Sequence, residues 1–267
     1  MTDVRGAWGY KIAAVAGCLA TLAGCTTQPP VLPDQTPSGP TVTGPADPWG
    51  QLAGRVAALR DNRYVAAYTL STRGRPARTV TVTIAVDGSW LVVIPGGALG
   101  GGADIALADT PAGLYECATT RAPGALAPTS PPGCFLVGPR DSPLPSRDDP
   151  RVQHVFTDWL RVLTNREAAL SVAAAAPLPG SRGQCYSIEP NSAALDSPVD
   201  PGIYCFDERG TLTAAALALG TLALAAAPAA APPTVSLPGP VVPGSLLPLA
   251  APPSPSASPS PSASRRP

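Results

Sequence analysis

The sequence contains almost no lysine, histidine or methionine: among its 267 residues there is one of each. Because His154 is the only histidine, a Ser-His-Asp triad has a single candidate base, and no G-x-S-x-G motif accompanies it. There is also no C-x-x-C pair and no acidic cluster at ligand spacing. We therefore expect no metal site, no cofactor and no enzymatic activity, with His154 at the solvent face of a helix.

Charge is scarce and balanced, with 18 basic and 18 acidic residues and a formal net charge of zero at pH 7. A balanced chain offers no bulk electrostatic attraction to nucleic acid, so we expect no nucleic-acid partner. Arg73, Arg75 and Arg78 cluster at a predicted hairpin loop, where they could contact anionic lipid headgroups. We favour the simpler interpretation of a solvated turn. The alanine-, proline-, glycine- and arginine-rich composition is typical of a GC-rich, actinobacterial genome.

The N-terminal residues have the pattern of an export signal. Two basic residues precede an apolar run at 12–24 that is too short to span a bilayer as a helix. The run ends in Leu22-Ala23-Gly24-Cys25, which resembles the bacterial lipobox. In lipobox proteins the signal is cleaved before the cysteine and a diacylglycerol is attached to its sulfur. The resemblance implies that Cys25 anchors the mature protein in the lipid bilayer, at the extracytoplasmic face of the cell membrane. Residues 15–18 also fit the motif but leave a shorter apolar run, and an ordinary secretory signal is the other alternative.

Composition divides the chain into four parts. Residues 1–24 are the predicted signal peptide, and residues 25–46 are the lipidated cysteine with a proline-rich tether that cannot bury a core. Residues 47–242 are long enough for a single antiparallel β-rich domain with a sizeable core. Residues 243–267 are rich in Pro, Ser and Ala and are predicted to be disordered.

Six cysteines occur, of which Cys18 leaves with the signal and Cys25 is lipidated. The four that remain are an even number in an oxidising compartment, which indicates two disulfides. Three pairings are possible. We favour the two in which each pair flanks one loop, which join Cys117 to Cys134 and Cys185 to Cys205. A metal site is the alternative, and the missing C-x-x-C spacing argues against it.

Two helices are predicted from a cap residue followed by proline, at Asp47-Pro48 and at Asp149-Pro150. The first helix repeats apolar residues at spacings of three and four and ends near Asn62. The second has the clearest helical periodicity in the chain. Its apolar face consists of Val152, Val155, Phe156, Trp159, Leu160 and Leu163. Elsewhere, alternating apolar residues and turn signals predict antiparallel strands.

The strongest hairpin signal is Asp87-Gly88, which follows the strictly alternating strand 78–86. A two-residue loop at this point fixes the register of the next strand. In that register Trp90, Val92 and Ile94 lie on the face of the threonines, opposite the valine and isoleucine face. The strand is then apolar on both faces, so a helix or a bound apolar ligand must cover the second face.

Residues 211–264 contain no charged residue. The stretch from Thr211 to Ala227 could be read as a second membrane span, but it is only 17 residues long and lacks basic flanks. We favour a hairpin that turns at Gly220-Thr221, because this register places the four leucines of the stretch on one face. A further edge strand is predicted at Thr234 to Leu237.

The predicted order, behind a lipobox and a tether, is a helix, several antiparallel strands, a capped helix and more antiparallel strands. This order is similar to that of the LolA-like superfamily, which includes the mycobacterial lipoproteins of the LprG and LppX type. The resemblance covers about residues 47–240 and depends on element order, not on a diagnostic motif. It implies an α+β fold in which two main helices pack on the concave face of a strongly curved antiparallel β-sheet, a half-barrel. Lipid or acyl chains are carried between them. The two disulfides depart from the family.

Two function hypotheses follow. The first is a membrane-anchored lipoprotein that binds or carries a lipid or another apolar ligand. Its candidate lining residues are Trp90, Val92, Ile94, Phe156 and Trp159. The second is an interaction or sensor domain of the cell envelope whose core is filled by its own side chains. A cavity of roughly several hundred Å³, the size of a ligand pocket, would favour the first.

Overall fold

The computed structural model describes residues 47–121, 133–191 and 197–251. Cys25, the predicted signal peptide and the predicted tether lie outside the described residues. The described chain contains two α-helices, α1 (Pro48–Asp61) and α2 (Trp159–Thr164), and two short 3-10 helices, Leu99–Gly101 and Val152–Phe156. Its strands are β1 (Tyr64–Ser71), β2 (Arg78–Ile84), β3 (Trp90–Ala98), β4 (Ala103–Thr110), β5 (Gly113–Arg121), β6 (Gly133–Gly138), β7 (Leu170–Ala175), β8 (Gln184–Pro190), β9 (Gly202–Phe206), β10 (Leu212–Leu217), β11 (Gly220–Leu224) and β12 (Ala229–Ala230).

All 12 strands belong to one antiparallel sheet with the order β6-β5-β4-β3-β2-β1-β11-β10-β9-β8-β7, and β12 pairs beside β1. Strands β1 to β6 form one run of neighbours, and β7 to β11 form a second. The two runs meet where β1 pairs with β11, with Tyr68 opposite Leu224. Because β6 and β7 occupy opposite ends of this order, the sheet is open. The prediction of an α+β fold with a large antiparallel sheet is confirmed.

Helix α1 forms where the sequence predicts it. The Asp47 side chain accepts a hydrogen bond from the Gly50 N–H at 3.0 Å, and Pro48 occupies the first turn. The buried face of the helix consists of Leu52, Val56 and Leu59. Burying side chains of this kind stabilises a fold by roughly 1.5–3 kcal/mol each, so packing of this face holds the helix more than its intrinsic propensity does.

One hydrophobic core includes side chains from both helices and from both runs of strands. The ring centroids of Tyr68 on β1 and Phe156 before α2 lie 4.8 Å apart. Two further tyrosines, Tyr186 on β8 and Tyr204 on β9, are among the largest fully buried side chains. The core therefore joins the two halves of the sheet across the β1–β11 pairing.

The second predicted helix is interrupted. A 3-10 helix covers Val152–Phe156, and α2 begins only at Trp159, because Thr157 departs from helical geometry. The Thr157 hydroxyl donates to the carbonyl of Gln153 at 3.0 Å, a local bond that competes with the helical backbone pattern. The predicted apolar face is nevertheless buried along its whole length. It consists of Val152, Val155, Phe156, Trp159, Leu160 and Leu163.

The β2–β3 hairpin turns through three residues instead of two. The Ala85 N–H donates to the carbonyl of Ser89 at 2.9 Å, which leaves residues 86–88 as the loop. Gly88 has a φ of +80°, a conformation that favours glycine. Asp87 accepts a hydrogen bond from the Ser89 N–H at 2.9 Å and so stabilises the longer loop. The predicted two-residue loop is wrong, and the register of β3 differs from the prediction by one residue.

This shift by one residue exchanges the two faces of β3. Val92 pairs with a buried valine of β2, so Trp90, Val92 and Ile94 lie on the valine face and not with the threonines as predicted. Val92 and Ile94 are fully covered by the core. The residues on the opposite face are Leu91 and Val93.

A C-terminal segment, residues 232–251, covers this opposite face. Leu237 packs against the same buried cluster as the two outward apolar residues of β3. That cluster consists of Ala106, Tyr115, Cys117 and Cys134. The carbonyl of Pro240 accepts a hydrogen bond from the Cys134 N–H at 2.8 Å, which fastens the segment to β6. Thr234 to Leu237, predicted as an edge strand, runs without strand pairing. The chain itself therefore covers the face that the prediction left for a helix or a ligand.

Residues 243–251, assigned above to the tail, contact the domain. Leu247 is 3% exposed, and its N–H donates to Oε1 of Glu116 on β5 at 2.7 Å. Glu116 is fully buried. Burial raises the pKa of Glu116 to about 7; the hydrogen bond from Leu247 opposes this shift, and the charge of Asp148 adds to it. The packed chain thus extends beyond the predicted domain end at residue 242.

The uncharged stretch after residue 211 forms the β10–β11 hairpin. Leu217 pairs with Gly220, so the turn lies at Ala218-Leu219, two residues before the predicted position. Gly220 lies outside the turn, at a point where the backbones of β11 and β1 come close together. A Cβ at this position would lie 2.5 Å from the carbonyl oxygen of Ser71. Within the described ranges, no helix has the length and apolarity needed to cross a membrane.

Both favoured disulfides are present. One joins Cys117 on β5 to Cys134 on β6, and the other joins Cys185 on β8 to Cys205 on β9. In each case the two cysteines are direct cross-strand partners. The predicted pairing is confirmed, and each bridge lies within one half of the sheet.

Candidate binding cleft

A cleft of about 730 Å³ opens along one end of strands β2 to β5. Its floor follows a row of cross-strand partners, in which each residue pairs with the next: Ile84, Trp90, Asp109 and Leu114. Neighbouring strands lie roughly 4.8 Å apart, so the three spacings of this row span about 14 Å. The pairing of the strands thus brings residues from four strands into one surface.

Two segments and the end of α1 form the other walls of the cleft. Residues 140–144 follow β6, and residues 149–161 include the 3-10 helix and the start of α2. The end of α1 contributes Arg60, and Arg63 follows it immediately before β1. The cleft therefore lies between the sheet and the helical part of the domain.

The lining of the cleft is mixed, with about as much polar as apolar surface. Its apolar side chains are Ile84, Trp90, Leu114, Pro143, Leu144, Phe156 and Leu160. Leu114, Phe156 and Leu160 are buried, whereas Ile84, Trp90 and Leu144 are half-buried. Of the five predicted lining residues, Trp90 and Phe156 line the cleft, and Phe156 also belongs to the core, where it is 2% exposed. Val92, Ile94 and Trp159 lie in the core and not in the lining, and they are 0%, 2% and 4% exposed.

One side of the cleft is fixed by an ion pair between Arg140 and Asp109. Nε of Arg140 donates to Oδ2 of Asp109 at 2.9 Å, and Nη2 donates to the carbonyl of Gly88 at 2.7 Å. Asp109 is almost fully buried; burial raises its pKa, while Arg140 works in the opposite direction. This arginine ties the segment after β6 to the β2–β3 turn and to β4.

His154 lies between two carboxylates at the opposite wall of the cleft. Its Nε2 is 2.8 Å from Oδ2 of Asp149, and its Nδ1 is 2.6 Å from Oδ1 of Asp158. The imidazole ring stacks on Trp159, with the ring centroids 5.4 Å apart. Burial alone would lower the pKa of His154, but the hydrogen bonds and charges of both carboxylates outweigh burial and raise it to about 9.

His154 is therefore a cation at neutral pH, with both ring nitrogens engaged. Its side chain is 21% exposed, so the histidine that the sequence places at a solvent face is half-buried. The same contacts keep the pKa of Asp149 and Asp158 below the ordinary aspartate value, despite their partial burial. A histidine held in this way has no free nitrogen with which to act as a general base.

Three arginines, which we call the arginine group, line the cleft near β1: Arg60, Arg63 and Arg161. Nη1 of Arg60 donates to the hydroxyl of Thr164 at 3.3 Å, which links the end of α1 to α2. Nη1 of Arg63 donates to the carbonyls of Arg60 and Asn62, both at 2.9 Å, and so caps the C-terminus of α1. All three side chains are exposed.

Sequence patterns identify only part of this cleft. Trp90 and Phe156 were selected because they are apolar residues on predicted elements, whereas Arg140, Asp109 and the arginine group were not. Strand pairing and the connection after β6 bring these residues together. A local spacing pattern in the sequence predicts neither the pairing nor the path of the connection. The single signal available was the excess of arginine in an otherwise weakly charged chain.

Comparisons with known proteins leave the fold and the cleft as the basis for a function. No model of a known protein family matches the sequence, and no curated protein matches it.

Proposed function

We propose that this chain is a non-enzymatic lipoprotein, anchored by Cys25 at the extracytoplasmic face of the cell membrane, whose cleft binds the apolar part of a lipid. The observation that carries the proposal is the cleft of about 730 Å³, whose lining includes the half-buried apolar side chains of Ile84, Trp90 and Leu144. Pockets for small ligands typically measure roughly 300–1,000 Å³.

The order of the elements supports this function. A helix, six strands, a helical segment and further strands build one open antiparallel sheet, as the resemblance to the LolA-like superfamily implies. Residues of α1 and α2 share one core with the strands, which supports helices packed on the concave face of a curved half-barrel. In such a fold a ligand lies between the helices and the sheet, and the cleft has this location.

The contacts of His154 support a binding role over catalysis. The only histidine is held as a cation between Asp149 and Asp158, and these two carboxylates are in turn occupied by it. Asp109 is similarly occupied by Arg140. The carboxylates and the imidazole of the cleft therefore stabilise its walls and do not form an acid–base pair poised for reaction.

A second candidate function is an interaction domain whose sheet is filled by its own side chains. It is favoured by the packing of both faces of β3. Val92 and Ile94 lie in the main core. Leu91 and Val93 pack against a second buried cluster, which Leu237 of the C-terminal segment also contacts. This packing removes the original reason for placing an apolar ligand on β3. The lipid-binding proposal consequently depends on the cleft alone.

Native mass spectrometry separates the two functions. The chain from Thr26 to Pro267 contains the whole described domain and can be purified from a lipid-synthesising host. We expect an additional mass that is lost on denaturation and is identified as lipid. Leu144→Asp, which replaces a half-buried apolar side chain of the cleft lining by a charged one, should abolish this mass. Leu136→Asp, at a leucine on β6 that is 57% exposed, is the matched control and should retain it. A clean protein mass that persists after incubation with lipid would overturn lipid binding and favour the interaction domain.

A further inference from the structure

We propose that the bound lipid carries an anionic group, such as a phosphate, and that the arginine group holds it at the β1 end of the cleft. This inference rests on the proposed function, and it specifies the chemical class of the ligand.

The charged side chains of the cleft lining do not fully offset one another, and the arginine group carries the excess positive charge. Asp109 is engaged by Arg140, and both Asp149 and Asp158 are engaged by His154. Asp141, an exposed residue, is the remaining carboxylate of the lining. Within the described parts of the chain, none of the three arginines forms an ion pair. Because His154 carries one charge and contacts two carboxylates, one negative charge remains there and a second on Asp141. The three arginines of the arginine group therefore exceed the remaining negative charge of the lining by one.

The arginine group lies next to apolar lining residues, an arrangement that suits a ligand with an anionic group and an apolar chain. Arg63 lines the cleft and immediately precedes Tyr64, the cross-strand partner of Ile84. Ile84 and Trp90 are the first two residues of the floor row. Arg161 follows Leu160, which belongs to the apolar lining. A ligand whose anionic group contacts the arginines would therefore extend its apolar part directly over Ile84 and Trp90.

Arginine has the chemistry for this role. A guanidinium presents five N–H donors in a planar fork and binds phosphate or carboxylate through paired, charge-assisted hydrogen bonds. Arg63 uses Nη1 to cap α1, and Arg60 uses Nη1 on Thr164, so both retain further donors for a ligand. The same contacts limit the freedom of these two side chains, which lowers the entropy lost on binding.

Isothermal titration calorimetry with matched probes tests the inference. The probes are dodecyl phosphate and the neutral dodecyl maltoside, both below their micelle concentrations, and inorganic phosphate. We expect dodecyl phosphate to bind the chain from Thr26 to Pro267 about tenfold or more tightly than the maltoside. Arg161→Gln and Arg63→Gln should each weaken dodecyl phosphate about tenfold and leave the maltoside unchanged. Arg73→Gln, at an exposed arginine of the β1–β2 turn, is the control and should change neither. Unchanged thermal unfolding of each variant shows that the fold is intact.

The possible failures are distinguishable. If both dodecyl probes bind equally and neither arginine substitution matters, the anionic inference is overturned while lipid binding stands. If neither dodecyl probe binds, the proposed function itself is overturned. If inorganic phosphate binds as tightly as dodecyl phosphate and loses affinity in Arg161→Gln, the anion site stands and a lipid is overturned as its source.

Discussion

Relative to the natural chain, the variant Glu116→Gln should gain stability as the pH rises from 4.5 to above 7. Burial raises the pKa of Glu116 from its ordinary value of 4.5 to about 7 in the folded state. Ionisation is therefore harder in the folded protein than in the unfolded chain. Stability from this group falls as the pH rises from 4.5 to 7, and one pKa unit corresponds to about 1.4 kcal/mol. The full shift amounts to about 3 kcal/mol.

Glutamine keeps an oxygen that can accept the Leu247 N–H, and it cannot ionise. Its amide group adds buried donors, which shift stability by an amount that does not vary with pH. The pH dependence of the difference between Glu116→Gln and the natural chain is thus the informative quantity.

Urea unfolding between pH 4 and pH 9, with both disulfides intact, measures this quantity. Glu189→Gln, at an exposed glutamate of β8, is the matched control and should give a difference that is nearly constant with pH. A constant difference for Glu116→Gln as well would refute the reasoning, because it would mean that Glu116 ionises in the folded state as easily as in the unfolded chain.

Two further predictions concern His154 and the second disulfide. Because the pKa of His154 is raised from 6.5 to about 9, its contribution of up to about 3 kcal/mol should be complete below pH 6.5 and be lost as the pH rises through 9. His154→Gln should therefore cost most stability at pH 6, and an unfolding free-energy difference that does not shrink by pH 9.5 would contradict the ion pairs with Asp149 and Asp158. Replacing Cys185 and Cys205 together by alanine should lower the free energy of unfolding by about 3 kcal/mol, as loop closure across 20 residues implies. An unchanged urea midpoint would contradict that value.

The parts of the fold that follow from local chemistry could be predicted from the sequence. Helix α1 begins at Asp47 because a carboxylate, a proline and a regular apolar face all act within one or two turns. The two disulfides were predictable because their cysteines flank connections between adjacent antiparallel strands, which brings them together locally. Predictions of this kind need no knowledge of the rest of the chain.

The parts of the fold that depend on turn length or on distant segments could not be predicted from the sequence. Asp87-Gly88 marks a hairpin correctly, yet the side chain of Asp87 stabilises a loop one residue longer, and one residue exchanges the faces of β3. Gly220 marks a close backbone approach to Ser71, a contact with a strand far away in the sequence. His154 falls on the polar side of a helical pattern, but its contacts with Asp149 and Asp158 leave its side chain only 21% exposed.

The seam between β1 and β11 has a consequence for how the chain reaches its folded state. Strands that pair there are roughly 150 residues apart in sequence, and pairings of such high contact order form late because loop closure must come first. Each half of the sheet, by contrast, is built from neighbouring strands and carries its own disulfide. We therefore expect each disulfide to form within its own half of the sheet before β11 pairs with the edge of β1. Until this pairing forms, β1 is an exposed edge strand that can pair with another chain. Aggregation should therefore compete with folding mainly before β1 pairs with β11.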